Sequence, residues 1–183
     1  MALPISVLMA LVMFCCRPAC FWCCDLPLSH SNQETFTLLN QMERISLLSC
    51  LKDRTDFRFP QILMDMNQLE KTQAAVLLYE MLQQTFNLFS RSDSLEAWDE
   101  TFLDKFLLGL YQQLNDLEIC FEKERKVEQI PLGTENSVKS YFQGIGLYLK
   151  EKEHSLCWEV VRVEIRKCFL FINMLTVQIK NKC

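Results

Sequence analysis

Glycine and proline are scarce, with 4 and 5 among 183 residues, where average usage would supply about 20 or more. So few chain breakers exclude a turn-rich β fold and favour long helices. No Lys/Arg block of five or more occurs, and 19 Lys+Arg against 23 Asp+Glu give a formal charge of −4. The chain therefore lacks the basic footprint that binds nucleic acid. Histidine is limited to 2 residues, and neither G-x-x-x-x-G-K nor G-x-G-x-x-G is present. Metal, phosphate and dinucleotide sites have little to be built from, so no cofactor and no catalytic site are expected. The length fits one globular domain.

Charge is also missing from the start of the chain. Residues 1–16 read MALPISVLMALVMFCC, with no charged side chain before Arg17. The run is too short to span a bilayer, which needs about 20 residues, but it fits the apolar core of a secretory signal peptide. The cleavage point is poorly marked, since Ala19, Cys20 and Cys23 are all small residues near it. Beyond residue 23 stand six cysteines: Cys24, Cys50, Cys120, Cys157, Cys168 and Cys183. Their spacing contains no C-x-x-C, so zinc and thioredoxin-type redox motifs are excluded, and export makes disulfides the expected state. Six cysteines allow 15 complete pairings, among which arithmetic does not choose.

Helical periodicity dominates the rest of the chain. Over residues 98–121, Leu103, Phe106, Leu110, Leu114, Leu117 and Phe121 recur at steps of 3 and 4, one buried stripe along a long helix. From Trp158 onward, Val161, Ile165, Cys168, Ile172, Leu175 and Ile179 repeat the pattern. A third helix is predicted over residues 69–89, with Val76, Tyr79, Phe86 and Phe89 on one face and Leu77, Met81 and Leu88 broadening it, so it is expected to be buried on more than one side. Two weaker patterns predict helices over residues 33–45 and from Val138 to about residue 153. Long connections over 46–67 and 122–136 exceed the usual bundle loop of about 2 to 8 residues. The layout predicts an all-α, four-helix bundle with long crossover connections plus an extra helix, as in helical cytokines.

Two enzymatic arrangements are weak. A di-iron carboxylate site or carrier bundle would need a Glu-x-x-His motif on each of two helices, and Glu151-x-x-His154 is a single match, with His30 elsewhere. A cysteine nucleophile has no local signature. More informative is the last helix. With Val161 set at 0°, the apolar stripe stays within about 40° of zero, while Arg162, Val163, Arg166, Lys167 and Leu170 fall at about 100° to 240°. A basic face with apolar residues at its centre is the usual look of a partner surface.

The chain resembles the type I interferons of the alpha, omega and delta group. The resemblance rests on CDLPLSH from Cys24, SCLKDR at 49–54, FPQ at 59–61, QQTFNLFS at 83–90, AWDE at 97–100, LYQQLNDLE at 110–118, LYL at 147–149 and WEVVRVEI at 158–165, in family order across nearly the whole chain. It implies a signal peptide over 1–23, a cytokine domain over 24–183, secretion, and disulfides pairing Cys24 with Cys120 and Cys50 with Cys157. By the chain-entropy model each bridge would contribute about 4 to 5 kcal/mol. It further implies a monomer that bridges two receptor chains to induce an antiviral state. The higher-affinity chain would meet Leu51, Arg54, Arg162, Val163, Arg166 and Lys167. The lower-affinity chain would meet Phe86, Asn87, Leu107, Tyr111 and Lys139.

Departures from the family pattern carry expectations of their own. Leu107 stands where alpha members usually have Tyr, and Lys139 where they usually have Arg, so a hydroxyl and a bidentate donor are missing and weaker engagement of the lower-affinity chain is expected. Arg166 replaces a commonly apolar residue. Cys168 and Cys183 are additional; the former falls in the buried stripe and is expected to be a free, inert thiol. No N-x-[ST] sequon is present, so N-glycosylation is not expected.

Overall fold

A computed structural model describes residues 28–42, 52, 54–64, 69–123, 131–152 and 157–181. Among them there are six α-helices and no strand: α1 (Leu28–Gln41), α2 (Lys71–Phe89), α3 (Ser92–Ala97), α4 (Glu100–Lys123), α5 (Leu132–Lys152) and α6 (Cys157–Asn181), with a 3-10 turn at Gln61–Met64. α1 lies against α4 and α6, while α2 packs against α4, α5 and α6 at once. This central place explains the composition of α2. Its core-facing side runs through Ala74, Leu77, Leu78, Met81, Leu82 and Phe89, with Ala75, Thr85 and Leu88 also buried. Of the expected face, Val76, Tyr79 and Phe86 are half-buried and Phe89 is fully buried, so the centre of the buried side is rotated towards Leu77, Leu78 and Met81.

Helix starts follow local chemistry. The backbone N–H of Glu70 donates to Gln73 Oε1 at 3.1 Å, one half of a capping box at the head of α2. Asp99 Oδ1 accepts from the N–H groups of Thr101 (3.0 Å) and Phe102 (3.3 Å), satisfying two of the orphan donors that open α4. Pro131 precedes α5, and its carbonyl accepts from Thr134 and Glu135. The six-residue α3 is too short for a periodic signal. Ser94 holds it by donating to Phe89 O at 2.5 Å, and it delivers Trp98 to the core.

An aromatic chain joins the helices through the middle of the bundle. Phe36 of α1 meets Phe169 of α6 with ring centroids 6.1 Å apart, Phe169 meets Phe106 of α4 at 6.0 Å, and Phe106 meets Phe89 of α2 at 4.9 Å. Phe89 then meets Trp158 of α6 at 5.3 Å, and Trp158 meets Trp98 at 6.3 Å. Such pairs contribute about 0.5 to 1.5 kcal/mol each beyond area burial. Two buried polar ties dock α1: Asn32 Nδ2 donates to Thr176 Oγ1 of α6 at 2.8 Å, and Gln113 Nε2 of α4 donates to Thr35 Oγ1 at 2.9 Å. The second tie requires close approach, and Gly109 of α4 allows it. A Cβ at that position would lie 2.8 Å from Thr35 Oγ1.

The cysteines divide. Cys120 is buried at the end of α4 and is disulfide-bonded to a cysteine outside the described residues. Cys168 is a free, fully buried thiol, as expected. Cys157, whose expected partner Cys50 lies outside the described residues, stands among them as a free thiol, 1% exposed. At the first turn of α6 it sits within the hydrophobic cluster, where a thiol acts as a small apolar side chain shielded from exchange. Cys24, Cys50 and Cys183 lie outside the described residues.

Candidate functional site

Two outward surfaces carry the residues singled out in the sequence. The first begins on α6. Its opening turns are enclosed, since Cys157, Trp158, Glu159, Val160, Val161 and Arg162 are all buried. The outward side opens only at Val163. There Val163 and Arg166 are half-buried, and Lys167 and Leu170 are exposed, followed by Met174 and Val177.

Arg162 is therefore not on this surface, which corrects its expected placement on the basic outward face. It is 0% exposed. Its Nε donates to Glu159 Oε2 at 2.9 Å, and its guanidinium lies 3.4 Å from the carbonyl of Leu39 in the last turn of α1. A cation at that end satisfies a terminal carbonyl and opposes the negative pole of the helix dipole. Helical angle alone misplaced it, because near the start of α6 both sides of the helix are covered.

Arg166 and Lys167 are held in different ways. The Arg166 guanidinium stands 5.9 Å from the centre of the Phe36 ring of α1, within cation–π range. Lys167 Nζ donates to Glu164 Oε2 at 2.6 Å, with the lysine side chain 59% exposed and the glutamate 5%. The other oxygen of Glu164 accepts from the Tyr141 hydroxyl of α5 at 2.8 Å, and that hydroxyl also lies 3.4 Å from Cys168 Sγ. With the tyrosine proton given to Glu164, the thiol donates to the tyrosine oxygen. Burial, reinforced by Cys168 and Glu164, pushes the Tyr141 pKa well above the usual phenol range, and burial pushes the Cys168 thiol up to about 12.

Residues 54–60 of the first crossover reach the same place. Arg54 is exposed. Phe57 meets Tyr148 of α5 edge-on at 5.2 Å, while Phe59 meets Tyr141 at 5.4 Å and Phe171 of α6 at 5.7 Å. Between them Arg58 adopts a left-handed φ of 55°, and its N–H donates to Asp56 Oδ1 at 2.9 Å, an Asx-type turn. Leu51 lies outside the described residues.

The second surface spans α2, α4 and α5. Asn87 is exposed, Phe86 and Leu107 are half-buried, and Tyr111 is 59% exposed beside the exposed Leu108. Lys139 of α5 donates to Glu135 one turn earlier. That bond, with the nearby charge of Glu80 on α2, raises its pKa. On the α2–α4 seam, Tyr79 donates to Glu118 Oε1 at 2.5 Å. The bond and partial burial push the tyrosine up to about 12.

Sequence reasoning missed Leu108, Met174 and Val177, although Leu170, Met174 and Val177 follow helical steps of 4 and 3 opposite the buried stripe. Glu151 is exposed, and His154 lies outside the described residues. Among the described residues no cluster of His, Cys, Asp and Glu could hold a metal ion, and no helix is long and apolar enough to cross a membrane.

Comparison with known proteins gives a consistent result. Residues 25–179 match the family model described as the interferon alpha/beta domain. The chain is 53% identical to human interferon alpha-6, with all of both chains covered. It is 54% identical to horse interferon alpha-2 over 92% of this chain and 95% of the relative. Zebrafish interferon 2 shares the fold at a TM-score of 0.69 and 24% identity, over 79% of this chain and 96% of its own.

Proposed function

Because the chain belongs to the interferon alpha/beta family, whose members are cytokines rather than enzymes and act on a type I interferon receptor, we propose that it is released after loss of residues 1–23 and, as a monomer, draws two different receptor chains together to induce an antiviral state. The observation that carries this reading is the family match over residues 25–179, joined to two solvent-facing surfaces on different helices. The higher-affinity chain meets Leu51 and Arg54 of the crossover with Val163, Arg166 and Lys167 of α6. The lower-affinity chain meets Phe86, Asn87, Leu107, Tyr111 and Lys139. Arg162, assigned to the first group by resemblance, acts from inside the fold.

Arg54 is the expected anchor of the first surface, because a planar guanidinium satisfies carbonyls and carboxylates at once. Arg54→Ala is expected to cost at least about 2 kcal/mol of binding with folding intact; a loss under about threefold would contradict the assignment. The decisive experiment treats matched cells, with and without each receptor chain, with the purified protein and then challenges them with virus. Protection is expected only where both chains are present. Equal protection in receptor-deficient cells would remove the proposal.

A further inference from the structure

Tyr141 stands where the two parts of the first surface meet. Its ring, buried on α5, meets the Phe59 ring in a T-shaped contact with centroids 5.4 Å apart, and Phe59 belongs to the short segment that also carries Arg54. Its hydroxyl donates to Glu164 at 2.8 Å, and the second oxygen of Glu164 holds the ammonium of Lys167 at 2.6 Å. We infer that Tyr141 is a positioning residue for the higher-affinity receptor surface, seating the crossover with its ring and orienting Lys167 through Glu164 with its hydroxyl. The assignment rests on the proposed receptor-binding role.

The physical case is one of preorganisation. A surface lysine samples many rotamers, and ordering it on binding costs affinity. Lys167 is already held by a carboxylate that is 5% exposed, and that carboxylate is pinned in turn by the tyrosine hydroxyl. An ammonium has three donors, so two remain for acceptors on a partner. Without the hydroxyl, Glu164 loses the contact that fixes its plane, and Lys167 is freed with it. The ring contact with Phe59 survives that change, which separates the two roles of one side chain.

The test measures binding of the full chain to each soluble receptor ectodomain, immobilised separately. Tyr141→Phe is expected to weaken the higher-affinity chain about fivefold and the lower-affinity chain by less than about twofold. In a Lys167→Ala background the same substitution is expected to add less than about twofold, because the lysine it orients is gone. Glu164→Gln, which keeps the shape and removes the charge, should reproduce the selective loss if Tyr141→Phe folds poorly. An undiminished loss in the Lys167→Ala background, an equal loss at both chains, or no loss from either variant would overturn the inference. If the wild-type chain bound neither ectodomain, the receptor reading would fall and this inference with it. If Arg54→Ala weakened binding and Tyr141→Phe did not, only the inference would fall.

Discussion

Two glycines inside helices should respond in opposite ways to one added methyl group. At Gly109 a Cβ would meet Thr35 Oγ1 at 2.8 Å, and that hydroxyl is fixed by donating to Ser31 O and accepting from Gln113. Gly109→Ala should therefore force α1 and α4 apart and cost about 1 to 3 kcal/mol. At Gly144 nothing lies within 4 Å of the added atom, so Gly144→Ala should gain about 0.5 to 1 kcal/mol from helix propensity. Urea titrations of the two variants check both signs at once. Arg162 gives a different residue-scale test. Removing its guanidinium strips buried Glu159 of a countercharge and the Leu39 carbonyl of a donor, so Arg162→Ala should cost about 3 to 5 kcal/mol of stability. A surface contact would instead lower binding and leave the denaturation midpoint in place.

At the scale of elements, residues 54–60 of the first crossover are attached by Phe57 and Phe59, with Leu63 buried in the 3-10 turn that follows. Phe59→Ala removes two edge-on ring contacts from a half-buried position and should destabilise by about 2 kcal/mol. Because the segment carries Arg54, binding of the higher-affinity chain should fall more than binding of the lower-affinity chain; equal losses in separate ectodomain assays would place Arg54 outside the first surface. α2, α4, α5 and α6 were legible from apolar spacing, since each buries a stripe long enough to repeat several times. Periodicity read less of α1, predicted from residue 33 and observed from Leu28. Its inward side uses Asn32 and Thr35, which a count of apolar residues passes over. α3 escaped because one and a half turns cannot show a period. Val163, Arg166 and Lys167 were legible from helical angle and the remaining surface residues from family resemblance; the exception was again a buried polar group, Arg162, whose partners include Glu159 in its own helix and Leu39, distant in sequence.

The molecule as a whole should be sensitive to alkali. Tyr79, Tyr141 and Cys168 all bind their protons more tightly when folded. Below the ordinary thiol value of 9.0 both states keep these protons; above it the unfolded chain releases the Cys168 proton, which the folded chain holds to about 12. Stability should therefore fall as pH climbs from 9 towards 12. Cys168→Ala should flatten that decline in denaturation midpoints, whatever offset its small cavity adds, and parallel curves would show that the thiol does not titrate as described. The central place of α2 reaches further. A helix covered by α4, α5 and α6 cannot open without dismantling the bundle, so its inner amides should trade hydrogen for deuterium only when the entire chain unfolds. The crossover at 54–60, half-buried at Phe57 and Phe59 and exposed at Arg54 and Arg58, should trade far sooner. One isotope-exchange experiment would then return two free energies from the same polypeptide: the cost of unfolding the cytokine, and the smaller cost of lifting one edge of its receptor-facing surface.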